Sequence, residues 1–196
     1  MKKINLLGLL IFGSVFGQEA VAQVINNPPM PTVTLKGGGI NLTYPADTAT
    51  GCISDIQNSV GHACTPGNCS ISSGTTLKFR KCTSITLTFQ SGSGCKNTQA
   101  EFRLSPYGTT YDISLVNGFS KPVSIGGGGT PITVNSLADG KKAGVYPYGC
   151  TECTALGNTP CHPLGATCHK GSQYNPKVKC QIDNDGSKAY TVSFGG

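Results

Sequence analysis

Ten cysteines constrain this chain more than any other feature: Cys52, Cys64, Cys69, Cys82, Cys95, Cys150, Cys153, Cys161, Cys168 and Cys180. All lie downstream of a leader-like N-terminus. Lys2 and Lys3 form a basic start, Ile4 to Phe16 is mostly apolar, and Ala20-Val21-Ala22 is an A-x-A cleavage pattern. Residues 1–22 are therefore expected to be a secretory signal peptide, leaving a chain that begins at Gln23. The apolar run is too short for a membrane span and nothing downstream replaces it. The expected product is secreted, periplasmic or extracellular, and monomeric. In that compartment an even set of thiols is read as a framework of disulfides.

The remaining composition favours strands and loops, with 27 Gly, 12 Pro, no Trp and many Ser, Thr and Asn residues. No window shows a sustained apolar 3.6-residue period, so no helix is predicted. Short β-like runs are predicted at Thr32 to Leu35, Ile40 to Tyr44, Thr76 to Arg80, Ser84 to Phe89, Ala100 to Leu104, Tyr111 to Leu115, Val123 to Ile125, Ile132 to Val134 and Tyr190 to Phe194. Turn signals such as Ser91-Gly92-Ser93-Gly94 and Gly126 to Gly129 separate them. Many short strands with Gly-rich turns point to a mainly β sandwich or flattened barrel. Residues 23–196 read as one domain, with 144–180 a cystine-rich side region in which strand alternation disappears.

Two strands carry the candidate chemistry. In Ala100 to Leu104, Phe102 and Leu104 share one face and Glu101 and Arg103 the other. In Tyr111 to Leu115, Tyr111, Ile113 and Leu115 lie opposite Asp112 and Ser114. Glu101 and Asp112 can thus project from one sheet into one groove. Glycoside hydrolysis commonly needs two carboxyl groups, one protonated as acid and one ionised. Desolvation in a groove raises a carboxyl pKa and would suit Glu101 to the acid role. The competing reading is a pair of solvent-side strand residues, with Glu101 beside Arg103. Tyr107, in the Ser105-Pro106-Tyr107-Gly108 turn, is a candidate sugar platform, whereas Tyr111 and Phe119 read as core.

The stretch from residue 95 to 122 resembles the thaumatin-like proteins. Cys64-Thr-Pro-Gly-Asn-Cys69, with Cys52 upstream, resembles that family's Cys-x-x-Gly-Asp/Asn-Cys element. Ala189-Tyr190-Thr191-Val192-Ser193-Phe194 resembles its last strand, although Gly195-Gly196 follows where the family has a cysteine. A partner cysteine between Gln23 and Gly51 is missing too, which fits one lost disulfide. The resemblance implies a Cys52–Cys64 bridge and leaves Cys69 to pair with Cys82 or Cys95. It also implies an acidic cleft associated with β-glucan, in which Glu101 falls on the family's glutamate and Asp112 on its first aspartate. Asn117 stands where the second aspartate is expected and Ala49 at the arginine position. An incomplete acidic set preserves sugar binding better than hydrolysis.

Other chemistries are poorly supported. The net charge of +6 is scattered, without a Lys/Arg run interleaved with aromatics, so nucleic-acid binding is not expected. A solvated basic exterior explains the charge more simply than a preference for anionic glycans. Cys150-x-x-Cys153, Cys161-His162 and Cys168-His169 have zinc-ligand types, but an exported chain oxidises such cysteines. No metal site and no cofactor is expected. His62, His162 and His169 each lie near a cysteine without a triad partner. Three functions follow: β-glucan or related cell-wall polysaccharide binding without efficient catalysis, weak endo-β-1,3-glucanase activity through Glu101 and Asp112, or a secreted protein-interaction or inhibitor module.

Overall fold

The computed structural model describes residues 29–46, 48, 50–146, 181–183 and 188–195, without the side chains of 181–183. The leader, Ala49, most of the cystine-rich region and Cys150 to Cys180 lie outside the described residues. In chain order the strands are β1 (Thr32–Lys36), β2 (Ile40–Thr43), β3 (Cys69–Ile71), β4 (Thr76–Leu77), β5 (Ile85–Gln90), β6 (Gln99–Leu104), β7 (Thr109–Ser114), β8 (Val123–Gly126), β9 (Ile132–Val134), β10 (Val145–Tyr146), β11 (Gln181–Asp183) and β12 (Ala189–Phe194). Among the described residues one helix, α1, spans Thr50–Val60, and a 3-10 turn spans Leu137–Lys141.

The strands form two mixed sheets. The first runs β4-β1-β12-β8-β9; the second runs β10-β7-β6-β5-β2-β3, with β11 also against β7. Both are open, so the sandwich form of the expectation holds and the flattened barrel does not. Period-2 alternation explains the layering. In β5, Ile85, Leu87 and Phe89 are buried while Thr86 is exposed. In β12, Tyr190, Val192 and Phe194 are buried. These inner faces meet in one core. Phe102 and Tyr111 of the second sheet reach Tyr190 of the first, with ring centroids 5.6 and 5.4 Å apart.

Three sequence expectations are corrected. Helix α1 exists, burying Cys52, Asp55 and Ile56. Ile53 and Val60 pack against the core from the same helix. Its period is occupied partly by a cysteine and an aspartate, so an apolar count misses it. The strand expected at Thr76 to Arg80 stops at Leu77. Beyond it the chain bonds to the helix: Lys78 N–H donates to Ser59 Oγ (3.0 Å), and the Arg80 and Lys81 N–H groups donate to Asp55 Oδ2 (2.5 and 2.9 Å).

The third correction concerns the disulfides. Cys52 bonds to Cys82 and Cys64 to Cys69, with Cα atoms 4.8 and 4.7 Å apart. Neither Cys52–Cys64 nor a Cys69 bridge to Cys82 or Cys95 forms. Cys52 faces the 78–82 segment that the helix already holds, while Cys64 and Cys69 close the turn in which Asn68 N–H donates to Thr65 O (3.0 Å). Cys95 is also disulfide-bonded.

Candidate functional site: a carboxyl pair on the outer sheet face

β6 and β7 form an antiparallel hairpin whose register sets Glu101 directly opposite Asp112. The same register sets Gln99 opposite Ser114, and the parallel β10 strand sets Tyr146 beside Ser114. Residues paired in register share a sheet face. Gln99, Glu101, Asp112, Ser114 and Tyr146 therefore lie on the outer face of the second sheet.

The two carboxyl groups are electrostatically linked. Asp112 Oδ1 is buried with no hydrogen-bond partner among the described residues. The Asp112 carboxyl is held well above the usual carboxylate range, first by burial, then by the charge of Glu101 and a side-chain hydrogen bond with it. A carboxyl beside a like charge in a desolvated place keeps its proton, and the protonated acid can donate to its neighbour. Tyr146 belongs to the same electrostatic cluster. Its phenol pKa is raised by burial, with smaller contributions from the charges of Asp112 and Glu101.

A chain of amides extends the face. Gln90 Nε2 donates to Thr43 Oγ1 (2.8 Å), Gln99 Nε2 to Gln90 Oε1 (3.3 Å), and Asn117 Nδ2 to Gln99 Oε1 (3.2 Å). Asn117 is held by a loop folded back on the start of β6. Asn97 N–H donates to Asn117 O (3.1 Å), and Ser120 N–H donates to Thr98 Oγ1 (2.9 Å). Gly118 serves that return: its φ is +88°, and a Cβ there would collide with the Cys95 carbonyl.

Glu101, Asp112 and Asn117 thus share one neighbourhood, but Tyr107 does not. Its ring is 76% exposed, as expected of that turn. The turn joins the opposite end of the hairpin from Asn117, and Thr109 to Asp112 alone spans about 10 Å of strand. Tyr111 is core, while Phe119 is partly buried against it. Arg103 lies on the outer face, opposite Thr86 and Thr110. His62 is exposed, with Nδ1 2.9 Å from Val60 O. Among the described residues no group of three His, Cys, Asp or Glu side chains could hold a metal ion.

Sequence reasoning missed Tyr146, Gln99 and Ser114 as members of the site. Gln99 and Ser114 follow from alternation once the hairpin register is known. Tyr146 has no local signal, because a two-residue parallel strand brings it in.

No family model matches this chain, and no curated protein matches it. Among solved structures, it is similar to the thaumatin-like xylanase inhibitor TLXI. The two are 11% identical with a TM-score of 0.41, over 84% of this chain and 98% of the inhibitor. Among the described residues no helix is long and apolar enough to cross a membrane.

Proposed function

We propose that this is a secreted, thaumatin-like protein that binds β-glucan or a related cell-wall polysaccharide on the outer face of its larger sheet, without efficient hydrolysis. The observation that carries the reading is the register that sets Glu101 opposite Asp112 on the outer face. Glycosidase carboxyl groups stand about 5–5.5 Å apart for retention or 6.5–9.5 Å for inversion, leaving room for a sugar carbon or a water. Glu101 and Asp112 are adjacent cross-strand partners whose carboxyls perturb one another, and we read them as one binding element rather than as a split acid and base. What the face offers is a pair of carboxyls, a row of amides and a phenol, all suited to bonding sugar hydroxyls. Glu101, Asp112 and Asn117 are the proposed ligand contacts, with Tyr146 beside them. Tyr107 is too far along the hairpin to share one short glycan with them.

Binding of the oxidised protein to insoluble β-1,3-glucan tests this, with laminarin hydrolysis measured on the same preparation. Retention on the glucan is expected, weakened about tenfold or more by Glu101→Gln with Asp112→Asn, and reducing-end release should stay at blank. Unchanged retention in a folded double variant would exclude this face. Hydrolysis abolished by Glu101→Gln would convert the reading to a glucanase, and a blank glycan array would turn the search to a protein partner.

A further inference from the structure

A second cleft, of ≈ 330 Å³, lies between α1 and the chain leaving β4, lined by Asp55, Asn58, Ser59, Thr76, Lys78 and Arg80. Alternation builds one wall. Leu77 and Phe79 are buried, so Thr76, Lys78 and Arg80 point the other way, towards the helix. One turn of α1 beyond Asp55 supplies Asn58 and Ser59 on the facing wall.

The charges in this cleft are unequal in what they leave available. Asp55 Oδ2 accepts the Arg80 and Lys81 main-chain N–H groups, which turns that oxygen towards the main chain and leaves one negative charge against the two cations of the cleft. Lys78 and Arg80 are both exposed, and among the described residues neither has a carboxylate within ion-pair distance. Ser59 Oγ accepts the Lys78 main-chain N–H and keeps its own proton for donation. The cleft therefore collects an ammonium, a guanidinium, a hydroxyl donor and an amide in a concavity at the small end of ligand-site volumes.

We propose that this cleft binds a carboxylate or sulfate-ester oxyanion, with Lys78 and Arg80 as its charged contacts. Guanidinium and ammonium groups make their strongest hydrogen bonds to such oxygens. The site is separate from the carboxyl pair, and the proposal does not rest on glucan binding there.

The test is calorimetric titration of the full oxidised protein with trigalacturonate, with a sulfated galactotriose, and with neutral laminaritriose. At least one anionic probe should bind, and the stronger of the two tells carboxylate from sulfate ester. Lys78→Gln with Arg80→Gln should weaken it roughly tenfold or more. Lys78→Gln alone should give part of that loss. Lys36→Gln, an exposed lysine on β1 outside the cleft, should change it less than about twofold. Both glutamine substitutions keep the main-chain N–H groups that hold the helix, and unchanged thermal midpoints would verify this. Failure of both anionic probes to bind, or an equal loss in Lys36→Gln, would overturn the assignment, the second result meaning diffuse charge rather than a site.

Discussion

Asp112 is half-buried, with Oδ1 shielded from water, on the side of a sheet that usually faces solvent, and this makes its stability contribution depend on pH. Its folded pKa is raised, chiefly by desolvation, so the folded state holds the proton more tightly than the unfolded chain, where Asp titrates near about 3.9. The stabilisation is complete below that value and is lost as pH rises through the folded pKa. The thermal midpoint of the native protein is expected to fall between about pH 4 and about pH 8 by more than that of Asp112→Asn. At the alkaline end the variant should be the more stable. Identical slopes in calorimetric scans of the two proteins would show that Asp112 ionises freely. The position on the face was legible from alternation alone. The burial was not, because it depends on a partner strand and on Tyr146, far away in sequence.

At the scale of elements, α1 is fixed by bonds rather than by a broad apolar stripe. Asp55→Ala would strip the acceptor from two main-chain donors, Arg80 N–H and Lys81 N–H. A lost partner costs about 1–3 kcal/mol where the donor stays buried. A loss of about 2 kcal/mol or more in urea unfolding is expected, and a neutral result would mean that water replaces the carboxylate. The two bridges placed among the described residues should differ as well. Cys52–Cys82 spans 30 residues and Cys64–Cys69 spans 5. Chain entropy then assigns roughly 3.6 and roughly 2 kcal/mol. Replacing each pair by alanines should reproduce that order in guanidinium midpoints; the reverse order would point to structure in the unfolded chain. Neither helix nor pairing was legible beforehand. A cysteine and an aspartate stand in the helix's buried positions, and the resemblance assigned Cys52 to the wrong partner.

Across the whole molecule, the two sheets are joined by the ring cluster of Phe89, Phe102, Tyr111 and Tyr190. Tyr111 also donates its hydroxyl to Thr130 O (2.9 Å), so the cluster ties the sheets to the turn between β8 and β9. Phe102→Ala is expected to cost about 3–5 kcal/mol, a large share of the stability of an ordinary domain. Loss of a cooperative thermal transition, or a midpoint lowered by more than about 10 °C, would be the observable. A small shift would mean that the sheets repack around the void. Alternation, which follows from local backbone geometry, sets the buried faces of the main strands and puts Glu101 and Asp112 on the same kind of surface. That these two stand opposite one another, that Tyr146 joins them, that Tyr107 lies apart, and which cysteines bond emerge only when the strands and loops assemble. Register, parallel pairing and disulfide choice are settled by contacts between segments distant along the chain, where local preference carries no information about the partner.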